Sequence, residues 1–277
     1  KEVERQIKEV KAKWTNPDGT MKKGYHCAPN GKPSRLTEEQ WLWVRTPNFK
    51  KWFGDWETLA IINEVENMPA RAIKLHESLD KAGIKEVFKR FGEAKNERDG
   101  RSVVFPNSIA GKIQRHKGFP TNTVIRNLKT LFESSIHIFS EREILKEGHK
   151  EHGNIVSYEH YLSKFSSNGI EYFIRFTIPV AKNETTNNVH STAVSEVSIY
   201  KKSGNSYFVS AYNNAESDAS ISGSSENSAF IDDKILHFLN SVNKKDVSQV
   251  VDENGEPLVV YHGTEEAFTE FNSKTSP

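Results

Sequence analysis

The sequence predicts an α+β fold: helices followed by a four-stranded antiparallel sheet, with an aromatic-rich N-terminal helical segment and a C-terminal strand pair. Two observations carry this. Up to about residue 135 the apolar residues recur at helical spacing, as in Val124, Leu128, Leu131 and Phe132. From residue 157 the period falls to two, so that Tyr172, Ile174, Phe176 and Ile178 alternate with Glu171, Phe173, Arg175 and Thr177. Helices first and strands afterwards is the α+β order.

Residues 1–14 place Val3, Ile7, Val10 and Trp14 on one helical stripe, which ends in the turn chemistry of Asn16-Pro17-Asp18-Gly19. Residues 24–35 have no period and read as a loop. Thr37 precedes Gln40 by three positions, the spacing of a capping box. The segment 37–57 then carries Trp41, Trp43, Phe49, Trp52, Phe53 and Trp56, read as two short helices broken at Pro47 around a small aromatic core. Further helices are predicted over about 70–92, 108–116 and 121–135, and 146–154 reads as a polar loop. Strands 157–165 and 170–180 flank Ser166-Ser167-Asn168-Gly169, a hairpin signal. A second hairpin, 194–201 and 206–212, surrounds Ser203-Gly204-Asn205. Residues 213–228 form a polar low-complexity linker, a short helix follows at about 229–241, and 247–264 reads as two strands around Asp252-Glu253-Asn254-Gly255. The implied division is 1–69, a helical segment; 70–212, a central α+β domain; 213–246, linker and short helix; and 247–277.

Composition bounds function only loosely. The 277 residues include 38 Lys+Arg and 37 Asp+Glu, a net charge of +1, which removes any whole-chain argument for nucleic-acid binding. No apolar run approaches the ~20 residues of a membrane span, so no membrane partner is expected. The single cysteine, Cys27, excludes an internal disulfide framework and a Cys-based zinc site. His149 and His152 have an H-x-x-H spacing but no evident third ligand, so no metal site is expected. Lys1 with no signal-peptide pattern after it reads as a piece of a longer chain, for which a cytoplasmic place is expected.

Two segments, APNGKPSRLTEEQWLWVRTPNFKKWFGDWE at 28–57 and VVDENGEPLVVYHGTEEAFTEFN at 250–272, resemble the flanks of modules in large polyvalent, toxin-like proteins of bacteriophages and conjugative elements. The second resembles the opening strand of an ADP-ribosyltransferase domain. The resemblance implies that His262, Gly263 and Thr264 hold the adenosine ribose of NAD. It also implies a later catalytic Glu, and the chain ends at Pro277, so the transferase module is expected to be truncated and inactive. Its alternative reading is a strand pair that closes the fold.

The central region, about 100–212, resembles metal-independent ribonucleases of the barnase, EndoU, colicin and RelE type, a fold-level analogy. It implies RNA as substrate and no cofactor. An acid and a base would move protons, and a cation would stabilise the phosphorane. The residue types are present. His116 and His152 or His190 are the candidate acid and base. Lys112, Arg115, Arg175 and Thr177 are the candidate substrate-binding groups. Lys112 and His116 share a helix face at i and i+4, and residues 108–129 are basic with no Asp or Glu. Arg175 and Thr177 share a strand face opposite the expected core, where a solvated arginine is the ordinary reading. His160 lies in the first strand. The alternatives to a ribonuclease are NAD-dependent ADP-ribosyl transfer by a longer chain, and a non-catalytic spacer or domain binding a protein partner.

Overall fold

The structure, a computed structural model, describes residues 1–16, 18–115, 121–142, 155–181, 192–203, 206–210, 237–239 and 241–258. It is α+β. Helix α1 (Glu2–Lys13) buries Val10 and Gln6 on its inner side. Helix α2 (Glu38–Trp43) starts on the expected capping box, in which the Gln40 amide donates to the Thr37 hydroxyl and the Gln40 side chain accepts from the Thr37 amide. Helix α3 (Pro47–Phe53) has Pro in its first turn and Thr46 as its cap. Helix α4 (Trp56–Asn67), which the sequence reading did not separate, buries Trp56, Leu59, Ile62 and Val65 on one stripe.

The helix expected over 70–92 is shorter than predicted. Residues 71 and 72 form strand β1 (Arg71–Ala72), and α5 (Lys81–Phe91) begins only where Asp80 accepts a hydrogen bond from the Gly83 amide. Between them Ile73, Leu75 and Leu79 pack against the core from a segment that is neither helix nor strand. Strands β2 (Glu93–Lys95) and β3 (Ser102–Val104) follow, then α6 (Asn107–Arg115), α7 (Thr121–Val124), a 3-10 turn at Ile125–Asn127 and α8 (Leu128–Glu133).

The sheet is larger and more mixed than a four-stranded antiparallel one. Its strands are β4 (Ile136–Arg142), β5 (Ile155–Ser167), β6 (Ile170–Ala181), β8 (Glu196–Ser203) and β9 (Ser206–Ser210), antiparallel in that order, with β1 added parallel to the end of β5 at Phe165 and Ser166. A second, small sheet joins β2 and β3 antiparallel and adds β7 (Thr192–Ala193) parallel to β3. The extra strands are short or irregular and are recruited by long-range pairing, so a period-two search does not reveal them. The β5–β6 hairpin closes as the sequence predicts, with Asn168 at φ 51° and Gly169 at φ 76°, the left-handed pair a two-residue turn requires.

Helices α5–α8 cover one face of the sheet. There Ile84, Phe88, Leu128 and Phe132 meet Tyr161, Phe165, Ile174 and Phe176. The other face is covered in part by α4 and by Phe238, against Ile136, Ile138, Leu162 and Phe173. A third cluster unites the chain's two flanks: Val10, Leu36, Trp41, Phe49, Phe53, Trp56 and Leu59 pack with Val247. The expected aromatic core is therefore split. Trp41 and Trp56 are buried, whereas Trp43 and Trp52 lie on the surface. Residues 251–257 close by a bridge between Val251 and Pro257 around the expected Asp252–Gly255 turn.

Gly54 is the contact point between the flanks. Its φ is 93°, and a Cβ there would sit 2.6 Å from the Asp246 carbonyl oxygen and 2.7 Å from Val247 Cα. Gly54→Ala is expected to destabilise the fold by about 2 kcal/mol or more, through left-handed strain plus a backbone clash. A urea titration followed by tryptophan fluorescence measures this, and an unchanged midpoint would contradict the packing described.

Candidate active site

The sheet face turned away from α5–α8 carries a row of polar side chains. Pairing sets Leu162 opposite Arg175, His160 opposite Thr177, Arg175 opposite Ser198 and Thr177 opposite Glu196. Alternation then puts His160, Arg175, Thr177, Glu196 and Ser198 on one face. Glu141 joins them from β4. Its Oε1 lies 3.1 Å from His160 Nε2, and the other ring nitrogen, Nδ1, lies 3.4 Å from the Thr177 hydroxyl. With the carboxylate accepting from Nε2–H, Nδ1 is left as an acceptor toward Thr177. This is a hydroxyl–imidazole–carboxylate line in which the acid fixes the tautomer. Beside it, Arg175 Nη2 reaches Glu196 Oε1 at 3.3 Å and Ser198 Oγ at 3.5 Å. Further along the same face Lys164 is paired with Glu171 at 3.1 Å.

Arg175 and Thr177 thus share a face as alternation requires, but the face is not solvated. Arg175 is 7% exposed, Thr177 6% and His160 1%. The expectation of a solvated Arg175 is corrected: its guanidinium is buried and contacts Glu196 and Ser198 of the neighbouring strand. Of the other candidates, Lys112 and Arg115 lie on α6, and their side chains are outside the described residues. His116, His152, His190, His262, Gly263 and Thr264 lie outside the described residues altogether, as do most of the expected linker and the short helix apart from 237–239. Lys129, part of the basic stretch, is engaged structurally: its ammonium donates to the Phe91 and Glu93 carbonyls at the end of α5.

Glu141 is the residue that sequence reasoning missed. Its strand, IHIFSER, has apolar Ile136 and Ile138 two apart, the one signal that could have found it. A bulge between His137 and Phe139 then breaks the alternation.

A second polar cluster lies on the opposite face, where the 96–101 loop meets β4 and β5. Asn96 anchors that loop: its amide donates to the Phe132 and Ser135 carbonyls, and its carbonyl accepts from the Arg98 and Asp99 amides. The Tyr161 hydroxyl donates to Asp99 Oδ2 at 2.6 Å, and Arg101 pairs with Glu159 at 3.1 Å. Burial, then Asp99, pushes the Tyr161 phenol far above its ordinary range. Tyr161 is 2% exposed, so the cluster supports the loop rather than a substrate. His26 and Cys27 form no reactive pair either. The imidazole contacts the Leu36 carbonyl, and burial followed by Glu256 raises the thiol. An open cavity of about 550 Å³ lies between Arg35–Gln40 and 251–258. Its Arg35 and Glu253 pair with each other, so it offers no acid–base chemistry comparable to the sheet row.

Among the described residues, no group of three or more His, Cys, Asp or Glu side chains is placed to hold a metal ion, and no helix is long and apolar enough to cross a membrane. No known protein family, curated protein or solved structure matches the chain.

His137, which faces Tyr161 and lies near Asp99, Arg101 and Ser140, is held below the ordinary histidine value of 6.5, first by burial. The unfolded chain therefore binds this proton more readily than the folded one. Stability is expected to be lost as pH falls below 6.5, before the carboxylates titrate, and His137→Gln is expected to flatten that slope. Urea midpoints between pH 7 and pH 5 check it (about the range in which histidine titrates). Equal slopes for both proteins would contradict it.

Proposed function

We propose that the central domain is a metal-independent ribonuclease, and that its acid–base chemistry is centred on His160. The observation that carries this reading is the Glu141–His160–Thr177 line beside Arg175 on one sheet face. An imidazole held in one tautomer by a carboxylate takes a 2′-hydroxyl proton at Nδ1 as the 2′-oxygen bonds to phosphorus; the P–O5′ bond breaks, and the leaving 5′-oxygen takes its proton from a second group, for which His116, His152 and His190 are the candidates. The guanidinium, 3.3 Å from Glu196, supplies positive charge for a phosphorane oxygen once a phosphate replaces that partner. RNA is the substrate class because its 2′-hydroxyl is the internal nucleophile, so the reaction needs no cofactor. Lys112 and Arg115 on α6, with His116, His152 and His190, are the further substrate and proton-transfer candidates from the sequence.

The non-catalytic reading, a spacer or protein-binding domain, has one observation in its favour: His160 and Arg175 are buried and paired within the fold. The polyvalent-protein context and NAD-dependent transfer at His262-Gly263-Thr264 rest on sequence resemblance, and a C-terminally extended chain that binds NAD would support the latter.

Total bacterial RNA incubated with the chain in EDTA is expected to be cleaved. His160→Gln and Thr177→Val are each expected to slow cleavage, the first by about 10²-fold, the ordinary loss for a general base. Equal cleavage by wild type and His160→Gln, or none by any form including one with His160 accessible, would contradict the reading.

A further inference from the structure

We propose that Phe139 and Phe238 form a two-layer aromatic lid over His160 that opens only part of the time, so that the folded chain cleaves RNA at a basal rate below that of the open site. This rests on the ribonuclease reading for its consequence, though not for its geometry. Ile136 faces Leu162 across the β4–β5 pair. Without the bulge, Phe139 would fall on the opposite side of the sheet from Ile136. The irregularity between His137 and Phe139 brings Phe139 opposite His160 instead, with ring centroids 4.5 Å apart at 30°. Phe238 forms the outer layer, 5.5 Å from Phe139 at 31°. Beside these rings His160, in the middle of β5 and paired on both sides, is 1% exposed, and Phe238 is itself 8% exposed.

The outer layer is built to come away. Phe238 is 40 residues from Ser198 in sequence, beyond the strands of the site. Among the described residues, no backbone hydrogen bond ties 237–239 or 241–242 to the sheet. The segment is held by the side chains of Phe238, Leu239 and Val242, while Lys244 pairs with Glu66 of α4 at 2.9 Å. An element attached by side-chain packing alone opens locally at lower cost than one paired in a ladder. When Phe238 leaves, Phe139 loses its backing and can change rotamer, and the imidazole then meets solvent or substrate.

The test is carbethoxylation of His160 by diethyl pyrocarbonate, read peptide by peptide in a mass spectrometer, alongside RNA cleavage in EDTA. The urea-unfolded chain sets the unprotected rate. Wild type is expected to protect His160, and Phe238→Ala to raise its modification rate at least about tenfold, as for a site released from local closure. RNA cleavage is expected to rise with it, and His160→Gln added to Phe238→Ala is expected to abolish the gain. A cooperative thermal transition shows that the variant is folded. If Phe238→Ala does not fold, Phe238→Leu keeps apolar volume but removes ring stacking and is expected to give a smaller rise. Faster modification with no RNA cleavage would establish the lid and overturn the ribonuclease reading. A modification rate unchanged from wild type in a folded variant would overturn the lid, whatever the cleavage.

Discussion

The fold depends on the buried guanidinium of Arg45. Its side chain is 5% exposed and lies between two indoles, 3.9 Å from the Trp41 ring centroid and 5.0 Å from that of Trp56. Cation–π contacts of this desolvated kind are worth about 2 kcal/mol. Two carboxylates balance the charge. Glu57 approaches Nε at 2.9 Å, at an angle unsuited to a hydrogen bond and therefore as an ionic contact, and Glu256 approaches Nη2 at 3.4 Å. Burial pulls Arg45 below the ordinary arginine value while both acids push it back. Glu256 is fully buried and also accepts from the Ser34 hydroxyl at 2.6 Å. Removing one partner of such a buried pair leaves an uncompensated charge, a loss of about 3–5 kcal/mol.

The consequence reaches across the whole chain. Residue 256 is brought to residue 45, Ser248 donates to the Phe53 carbonyl, and Asn30 donates to Asn254. The two segments singled out by sequence, 28–57 and 250–272, therefore meet in space, at least as far as residue 258. The chain between residues 57 and 247 lies between two ends that are pinned together. Helix α4 leaves this junction to cover the sheet at Ile62 and Val65, and the returning chain covers it at Phe238. The same arrangement that joins the flanks thus also covers the apolar part of that sheet face, beside the polar row.

What the sequence made legible was local. The Thr37–Gln40 capping box, the Pro47 helix start and the Asn168-Gly169 turn are each specified within a few residues, and each is present in the structure. The shared face of Arg175 and Thr177 follows from strand alternation alone. What the sequence did not reveal was set by distant partners. Residues 73–80 carry apolar side chains without helical geometry because the sheet, not the local segment, anchors them. Strand β1 exists only through its pairing with residues 165 and 166, and β4 hides its register behind a bulge. The burial of Arg175 could not be read because alternation gives the face of a strand and not what packs against that face. The histidines chosen from the sequence as acid and base, His116, His152 and His190, fall outside the described residues, and His160, not chosen, is drawn into a polar line by Glu141 on a neighbouring strand.

The joining of the flanks is tested most directly by native-state amide hydrogen exchange across a urea series. The account expects the amides of Ser248, Asp252 and Glu256, which bond to Phe53, to Glu256 and to Asp252, to share one opening free energy with Trp41 and Val44. Exchange of the 248–256 amides through a low-energy opening, with Trp41 and Val44 still protected, would contradict it.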